Sequence, residues 1–439
     1  MAPLLLRLPL FAAAAAACLL DWELQGQPAP ESVRMRRQTT DTVPIGEGNR
    51  FKDEVPRGVG TQAADTVVKS IMNPAEIRSA LDSLAKEFDI EVFETPEETH
   101  DGNVMFGGKL GNSCPRAIIT AGIHARERGG PDNLVYFIAD LLWAQREKTG
   151  ITYGGRWYTN ADVNKALDAG IVFVPLQNPD GVAHDQAEND CWRKNRNPEG
   201  TVDLNRNWNY LWDFRNKFSP EVADNVASDD PEVETYHGTE AESEPETRNV
   251  KWVLDGHPSL TWAADIHSMA GVVLYSWGED FNQHTNPAMN ALNASYDGVR
   301  GVQRDGPDTQ YMAYIDRDVW RSDSFVAQSI ANGMMGAAGN PEIPPVQSIN
   351  LYATSGAISD YISARSLLGN GDPLMHGLTI EFGRASKDPC PFYMAEGEFN
   401  DNIRAVGAGL MEFLLSAADE GWNDAKCDKG DGDSDSDGD

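Results

Sequence analysis

The chain has 439 residues, 41% of them apolar and 24% charged, which is enough to bury a large core as one sizeable α/β domain or as two or three smaller ones. Asp and Glu number 68 against 36 Lys and Arg, a formal net charge of -32, which argues against a surface built to neutralise nucleic-acid phosphates. The same excess favours solubility and attraction for cationic partners, or serves only as a solvated surface.

In chain order, Arg7 precedes an Ala-rich apolar run, Leu8 to Leu20, with small residues at Ala15 to Ala17. This pattern predicts a signal peptide over residues 1–20 and a secreted protein. No later stretch approaches the length of a membrane span. Residues 21–66 read as a polar leader, with a processing site after Arg37 in the run Arg34, Met35, Arg36, Arg37. Asn73, Pro74 and Glu76 form a helix start, and Ile77, Leu81, Leu84 and Phe88 give that helix one apolar face.

Short runs without polar alternation follow: Ala117 to Ala121, Ile171 to Val174, Trp262 to Ile266, Val272 to Tyr275 and Leu378 to Ile380. Amphipathic helices lie between them, at Leu134 to Leu142, near Ser324 to Met335 and at Asp401 to Ala417. Buried strands separated by helices predict a single α/β domain over residues 67–420, with a mixed, mostly parallel sheet covered on both faces. The acidic stretch Glu221 to Glu246 reads as a surface loop or helix end. Residues 421–439 form an acidic, disordered tail, in which Asp433, Asp435 and Asp437 imitate half of a calcium loop without its closing Glu. Outside the signal segment, Cys114, Cys191, Cys390 and Cys427 allow three disulfide pairings, and Asn293 opens a glycosylation sequon.

Three of the apolar runs end in ionisable residues: His124 after Ala121, His267 after Ile266, and Glu381 after Ile380. In sheets of this kind functional groups collect beyond the carboxyl ends of the strands. His124 and Glu127 stand three residues apart, a spacing that brings both to one ion, and His267 supplies a third ligand. Two His and one Glu with an open position for water form a catalytic zinc site, one ion per chain, beside which Glu381 is the candidate general base.

The motifs GIHARE, NPDG, CWRKNR, DLNRNW, YHGTEAESEPET, DIHS, LYATSG and TIEF occur in that order. With them the chain resembles the secreted zinc carboxypeptidases of the carboxypeptidase A/B family, from about residue 68 to about residue 418. The resemblance implies that zinc is held by His124, Glu127 and His267, that its water is the nucleophile, and that Glu381 is the base. It implies that Arg193 polarises the scissile carbonyl and meets the oxyanion, while Asn205, Arg206 and Tyr352 bind the substrate's terminal carboxylate. Asp203 would stand behind His124, and Arg126 would touch the residue upstream of the scissile bond. His237, His257 and His376 are assigned to structure. Peptide or protein C-termini are the implied partners of a monomeric enzyme.

Departures from the family pattern touch regulation and specificity. A short leader replaces a folded pro-domain, Arg128, Gly129 and Gly130 replace bulky residues, and Phe382, Gly383 and Arg384 follow in place of the common LRD. At the base of the side-chain pocket the resemblance puts Ser359, opposite Gly278, which points to neutral or apolar C-terminal residues. Glu279 and Asp280 are nearby acids that can attract Lys or Arg. The alternatives are a related zinc amidohydrolase or deacylase, and an inactive extracellular binding protein.

Overall fold

The computed structural model describes residues 19–20, 23, 42–303, 309–339, 342–369, 371–384 and 389–421. Most of the signal segment, the arginine run and all but the first residue of the acidic tail lie outside these residues.

Helix α1 (Pro74–Phe88) starts as the sequence predicts. The Asn73 side chain accepts from Glu76 N while the Glu76 carboxylate accepts from Asn73 N, so two backbone donors of the first turn are satisfied. Strands β1 (Glu91–Glu98) and β2 (Val104–Leu110) pair antiparallel, and β3 (Ala117–Ala121) is buried along its whole length. Helix α2 (Gly130–Glu147), the hairpin β4 and β5 (Ile151–Tyr153, Arg156–Tyr158), α3 (Asn160–Asp168), β6 (Ile171–Val174) and α4 (Pro179–Glu188) follow. The short helices α5 (Phe214–Lys217) and α6 (Ala223–Val226) lead to α7 (Pro245–Asp255), β7 (Trp262–Ser268) and β8 (Val272–Tyr275). A two-residue pair β9 and β10 (Asn282–Gln283, Ala313–Tyr314) precedes α8 (Arg317–Ala338), β11 (Pro345–Gln347), α9 (Ile358–Ala364), β12 (His376–Phe382) and α10 (Glu396–Glu420).

The eight-stranded sheet has the order β1-β2-β6-β3-β7-β12-β8-β11. Its centre, β6-β3-β7-β12, is parallel, as expected of strands with no polar alternation, and antiparallel pairings join β2 to β6 and β12 to β8. Alternate residues of β3 serve two cores: Ile119 packs in the cluster with α2, α8 and α10, and Ile118 in the cluster with α7 and α9. Register positions the site. Ala121 lies opposite Ile266 and Glu381 opposite His267, so the ends of β3, β7 and β12 are level.

Several expectations change. Residues 42–66, read as a polar leader, are packed on the domain: Val43, Phe51 and Val59 are buried in the main core, and Thr42 and Ile45 form isolated bridges to Ala395 and Ile71. Asp140 of α2 anchors this stretch by accepting from Gly60 N, Thr61 N and the Thr61 hydroxyl. Scattered apolar residues among Pro and Gly carry no periodicity, so the sequence pattern is silent there. His267 and Glu381 lie within β7 and β12 instead of after them, because both strands run beyond their apolar runs. Of the three cysteine pairings, the structure contains Cys191 with Cys390, and Cys114 is also in a disulfide.

Candidate metal centre and active site

Gly122 follows β3 with a φ of 72°, a left-handed conformation that turns the chain away from the sheet. The next residues form a turn, with Glu127 N donating to His124 O, instead of a helix, yet the three-residue spacing still brings the side chains together. His124 Nδ1 is 2.7 Å from Glu127 Oε1, and His267 Nδ1 is 3.1 Å from Glu127 Oε2. All three residues are at most 3% exposed, and one donor atom from each lies within 4.8 Å of the others.

The far nitrogens of both rings are also held. His124 Nε2 is 3.1 Å from Asp203 Oδ1, and His267 Nε2 is 2.6 Å from Asp265 Oδ2. A carboxylate behind each imidazole orients the ring and raises its basicity as a metal ligand. For Glu127, burial alone would raise its pKa, but His124 and His267 outweigh it and hold the carboxyl well below its usual range. For His267, burial acts to lower the pKa and is overcome by Asp265 and Glu127, which push it well above its ordinary value. Two buried imidazoles ringed by three carboxylates thus form a place for positive charge. A divalent ion on the inward Nδ1 atoms and Glu127 fits that donor set, and zinc accepts both donor types.

Beside this centre lies a cavity lined by Asn205, Arg206, Tyr352, Ser359, Asp360 and Glu381 together with His124 and His267. Asp203 caps the short turn Leu204–Arg206 by accepting from Asn205 N. Arg206 spends Nε on Val226 O and Nη1 on Asn205 O, while its buried Nη2 has no hydrogen-bond partner. Its guanidinium is 5.8 Å from the Tyr352 ring. Asn205 Oδ1 accepts from Ile358 N at 2.9 Å, which sets the amide's orientation. Glu381 is 2% exposed and lines the same cavity as both histidines.

Other residues singled out from the sequence stand elsewhere. Arg193 is fully buried and bound to Asp203 Oδ2 at 2.9 and 3.2 Å, behind the cavity wall. Arg126 does not line the cavity: it pairs with Glu23 and lies 4.5 Å over the Phe392 ring. Gly278 backs the side-chain pocket, where a Cβ would collide with Thr354 Oγ1 and Asp360 Oδ2. Glu279 is tied to the Tyr210 and Tyr311 hydroxyls, and Asp280 accepts from Phe281 N and Gly301 N, so neither faces the pocket. Arg128 packs on Asp185 and Tyr393, away from the rim. His237 and His376 stack on Trp212 and Trp262, and His257 bonds to Val253 O.

Two residues of the site were passed over in the sequence. Asp265 stands two residues before His267 on β7, so the period of a strand puts both on one face, and that signal was available. Asp360, next to Ser359, is the acid that lines the pocket. Burial, with Glu279 adding repulsion, pushes its carboxyl up to about 7, although Gly278 N donates to both of its oxygens.

A sheet whose parallel strands end in a buried His, Glu, His set, beside an acid and an arginine with a spare donor, defines a metal-dependent hydrolase. Residues 95–396 match the family model of peptidase M14, zinc carboxypeptidase, and the chain belongs to that family. It is 29% identical over 265 residues to carboxypeptidase B of Astacus astacus, covering 56% of this chain and 79% of that one. It is 27% identical over 237 residues to carboxypeptidase A4 of Mus musculus, covering 52% of this chain and 51% of that one. It is 30% identical over 240 residues to zinc carboxypeptidase A 1 of Anopheles gambiae, covering 50% of each, so the matches span about half the length of these last two relatives. Among solved structures, bovine thrombin-activatable fibrinolysis inhibitor in complex with tick carboxypeptidase inhibitor aligns with a TM-score of 0.56 at 17% identity, over 79% of this chain and 96% of that one. Carboxypeptidase A from Helicoverpa armigera aligns at 0.54 and 19%, over 80% and 74%. At these identities the structural likeness speaks for the fold.

Proposed function

We propose that this chain removes the C-terminal residue from peptides and proteins by hydrolysing their last peptide bond, with one zinc ion held by His124, Glu127 and His267. The observation that carries this reading is the spare, buried Nη2 of Arg206 in the same cavity as the metal-type residues and Glu381. A buried cationic donor without a partner is costly, and a substrate carboxylate completes it with a charge-assisted hydrogen bond. An exopeptidase needs such a group close to the reacting bond.

When bound, zinc supplies Lewis-acid polarisation of the carbonyl and lowers the pKa of water. Asn205, Arg206 and Tyr352 hold the terminal carboxylate, which fixes the register of the chain against the metal centre. Glu381 takes the proton of the attacking water and delivers it to the leaving amine. Arg193 is held by the carboxylate that also supports His124, behind the cavity wall, so meeting the oxyanion requires its guanidinium to turn from Asp203. Contact of Arg126 with the residue upstream of the scissile bond requires release of Glu23. Ser359 and Asp360, whose carboxyl is pushed up to about 7, make the side-chain pocket polar and uncharged on the acid side of neutrality, which favours uncharged C-terminal residues there.

The chain is further proposed to be a secreted monomer with a signal peptide, a short leader, a catalytic domain and an acidic tail. The apolar run at Leu8 to Leu20 and the Cys191 to Cys390 disulfide support export to an oxidising compartment. The test is turnover of N-blocked dipeptides with free and with amidated C-termini. Cleavage of the free form alone is expected, and equal turnover of both would sink the carboxylate-binding role of Arg206.

A further inference from the structure

A second group of metal-type side chains lies outside the catalytic cavity, where the loop from β1 to β2 meets the start of α7. His100 belongs to that loop, Glu244 is the N-cap of α7, and Glu246 stands in its first turn. One donor atom from each lies within 4.8 Å of the others. His100 Nε2 is 3.0 Å from Glu244 Oε2, and Asn195 Nδ2 bridges the two carboxylates, 2.7 Å from Glu244 Oε2 and 3.3 Å from Glu246 Oε2. Both glutamates are 1% exposed, and Glu246 Oε1 has no hydrogen-bond partner.

The surroundings solvate these carboxylates without neutralising them. Asn197 and Ser243 also donate to Glu244, and all of these donors are uncharged. Among the described residues no Lys or Arg forms an ion pair with either glutamate; Arg248 attracts both from a distance while its own ion pair is with Glu97, and His100 is the basic group in direct contact. Ionising two carboxyls buried side by side costs hydration and mutual repulsion, so burial and Glu244 push Glu246 up to about 8, and a buried charge of this kind is normally paired or coordinates a metal. An imidazole with two carboxylates is a donor set that zinc accepts, and His100, whose side chain is 25% exposed, leaves the group reachable from solvent.

We propose that His100, Glu244 and Glu246 bind a second divalent cation of the zinc type, with the unpartnered Glu246 oxygen as one ligand. The site clamps the β1–β2 loop onto α7. It also braces the segment from Trp192 to Arg206, because Asn195 N donates to Val202 O and Asn195 Oδ1 accepts from Val202 N. That segment carries Arg193, Asp203, Asn205 and Arg206, so the clamp is a positioning element for the substrate-binding turn.

The full chain, stripped with a chelator and dialysed against Zn2+, is assayed for bound metal by mass spectrometry. Two zinc ions per chain are expected for the wild type, and one each for His100→Ala, Glu246→Gln and Glu127→Gln. His100 is at the surface, so His100→Ala should keep its circular dichroism spectrum and remain informative if Glu246→Gln misfolds. One zinc in the wild type and none in Glu127→Gln overturns the second site and leaves the catalytic reading intact. Two zinc ions in His100→Ala also overturn it. One zinc in both the wild type and Glu127→Gln, lost in His100→Ala, sustains the second site and overturns the catalytic one.

Discussion

The chain holds two clusters with nearly the same donors, and their surroundings differ in every respect that matters for chemistry. At the carboxyl ends of β3, β7 and β12, each imidazole has a carboxylate behind it, Asp203 or Asp265, and the group opens on a cavity that also holds Glu381 and Arg206. At the start of α7, the carboxylates are braced by amides, and among the described residues His100 hydrogen-bonds to Glu244 with no further carboxylate orienting its ring from behind. Ligand type alone therefore says where a cation fits. Orientation of the ligands, a base within reach and a spare donor say where a cation can act on a substrate.

Four measurements test this contrast. The largest effect is expected from Glu381→Gln, which should lower kcat by about 10²–10⁴-fold with zinc content unchanged at both clusters. Turnover of a blocked dipeptide checks this, and near-normal activity would remove Glu381 as the base. Next, Asp265→Asn should weaken zinc at the catalytic centre by roughly 10–100-fold and leave the His100 cluster unchanged. Competition with a chromophoric chelator reads both affinities, and equal losses would erase the distinction between the clusters.

Arg206→Lys should raise KM for free-carboxylate substrates by about tenfold, the size of one charge-assisted hydrogen bond, with little change in zinc content. An unchanged KM would mean that the spare Nη2 does not meet the substrate. The smallest effect concerns pH. As pH rises through about 7, Asp360 loses its proton and the pocket gains negative charge, against repulsion from Glu279 and with attraction from Arg206. The ratio of kcat/KM for Lys-ending over Phe-ending substrates should therefore climb severalfold between pH 6 and pH 8. In Asp360→Asn the ratio should stay flat, and a flat ratio in the wild type would place the substrate side chain away from Asp360.

Much of the catalytic cluster was legible in one dimension. Buried parallel strands have no polar alternation, so an ionisable residue where an apolar run stops marks the sheet rim, and His124, His267 and Glu381 all stand there. Asp265 was equally legible from its two-residue spacing to His267 and was passed over. Less could be read where side chains face water or where packing is irregular. Strand β1 carries four glutamates in eight residues and lies at the edge of the sheet, so its exposed pattern resembles a loop. Residues 42–66 bury Val43, Phe51 and Val59 without any repeat.

Local order along the chain determined the helix starts, the central strands, the donor types and the rim positions, because each depends on neighbours within a few residues. Long-range packing sets that Arg126 faces Glu23, that Glu279 and Asp280 turn toward tyrosine hydroxyls and backbone N–H groups, and that Asp360 faces the pocket instead. It also decided that His100 meets Glu244 across 144 residues. A buried charge is stable only against the particular donor or acceptor that reaches it, and that partner comes from a distant part of the chain.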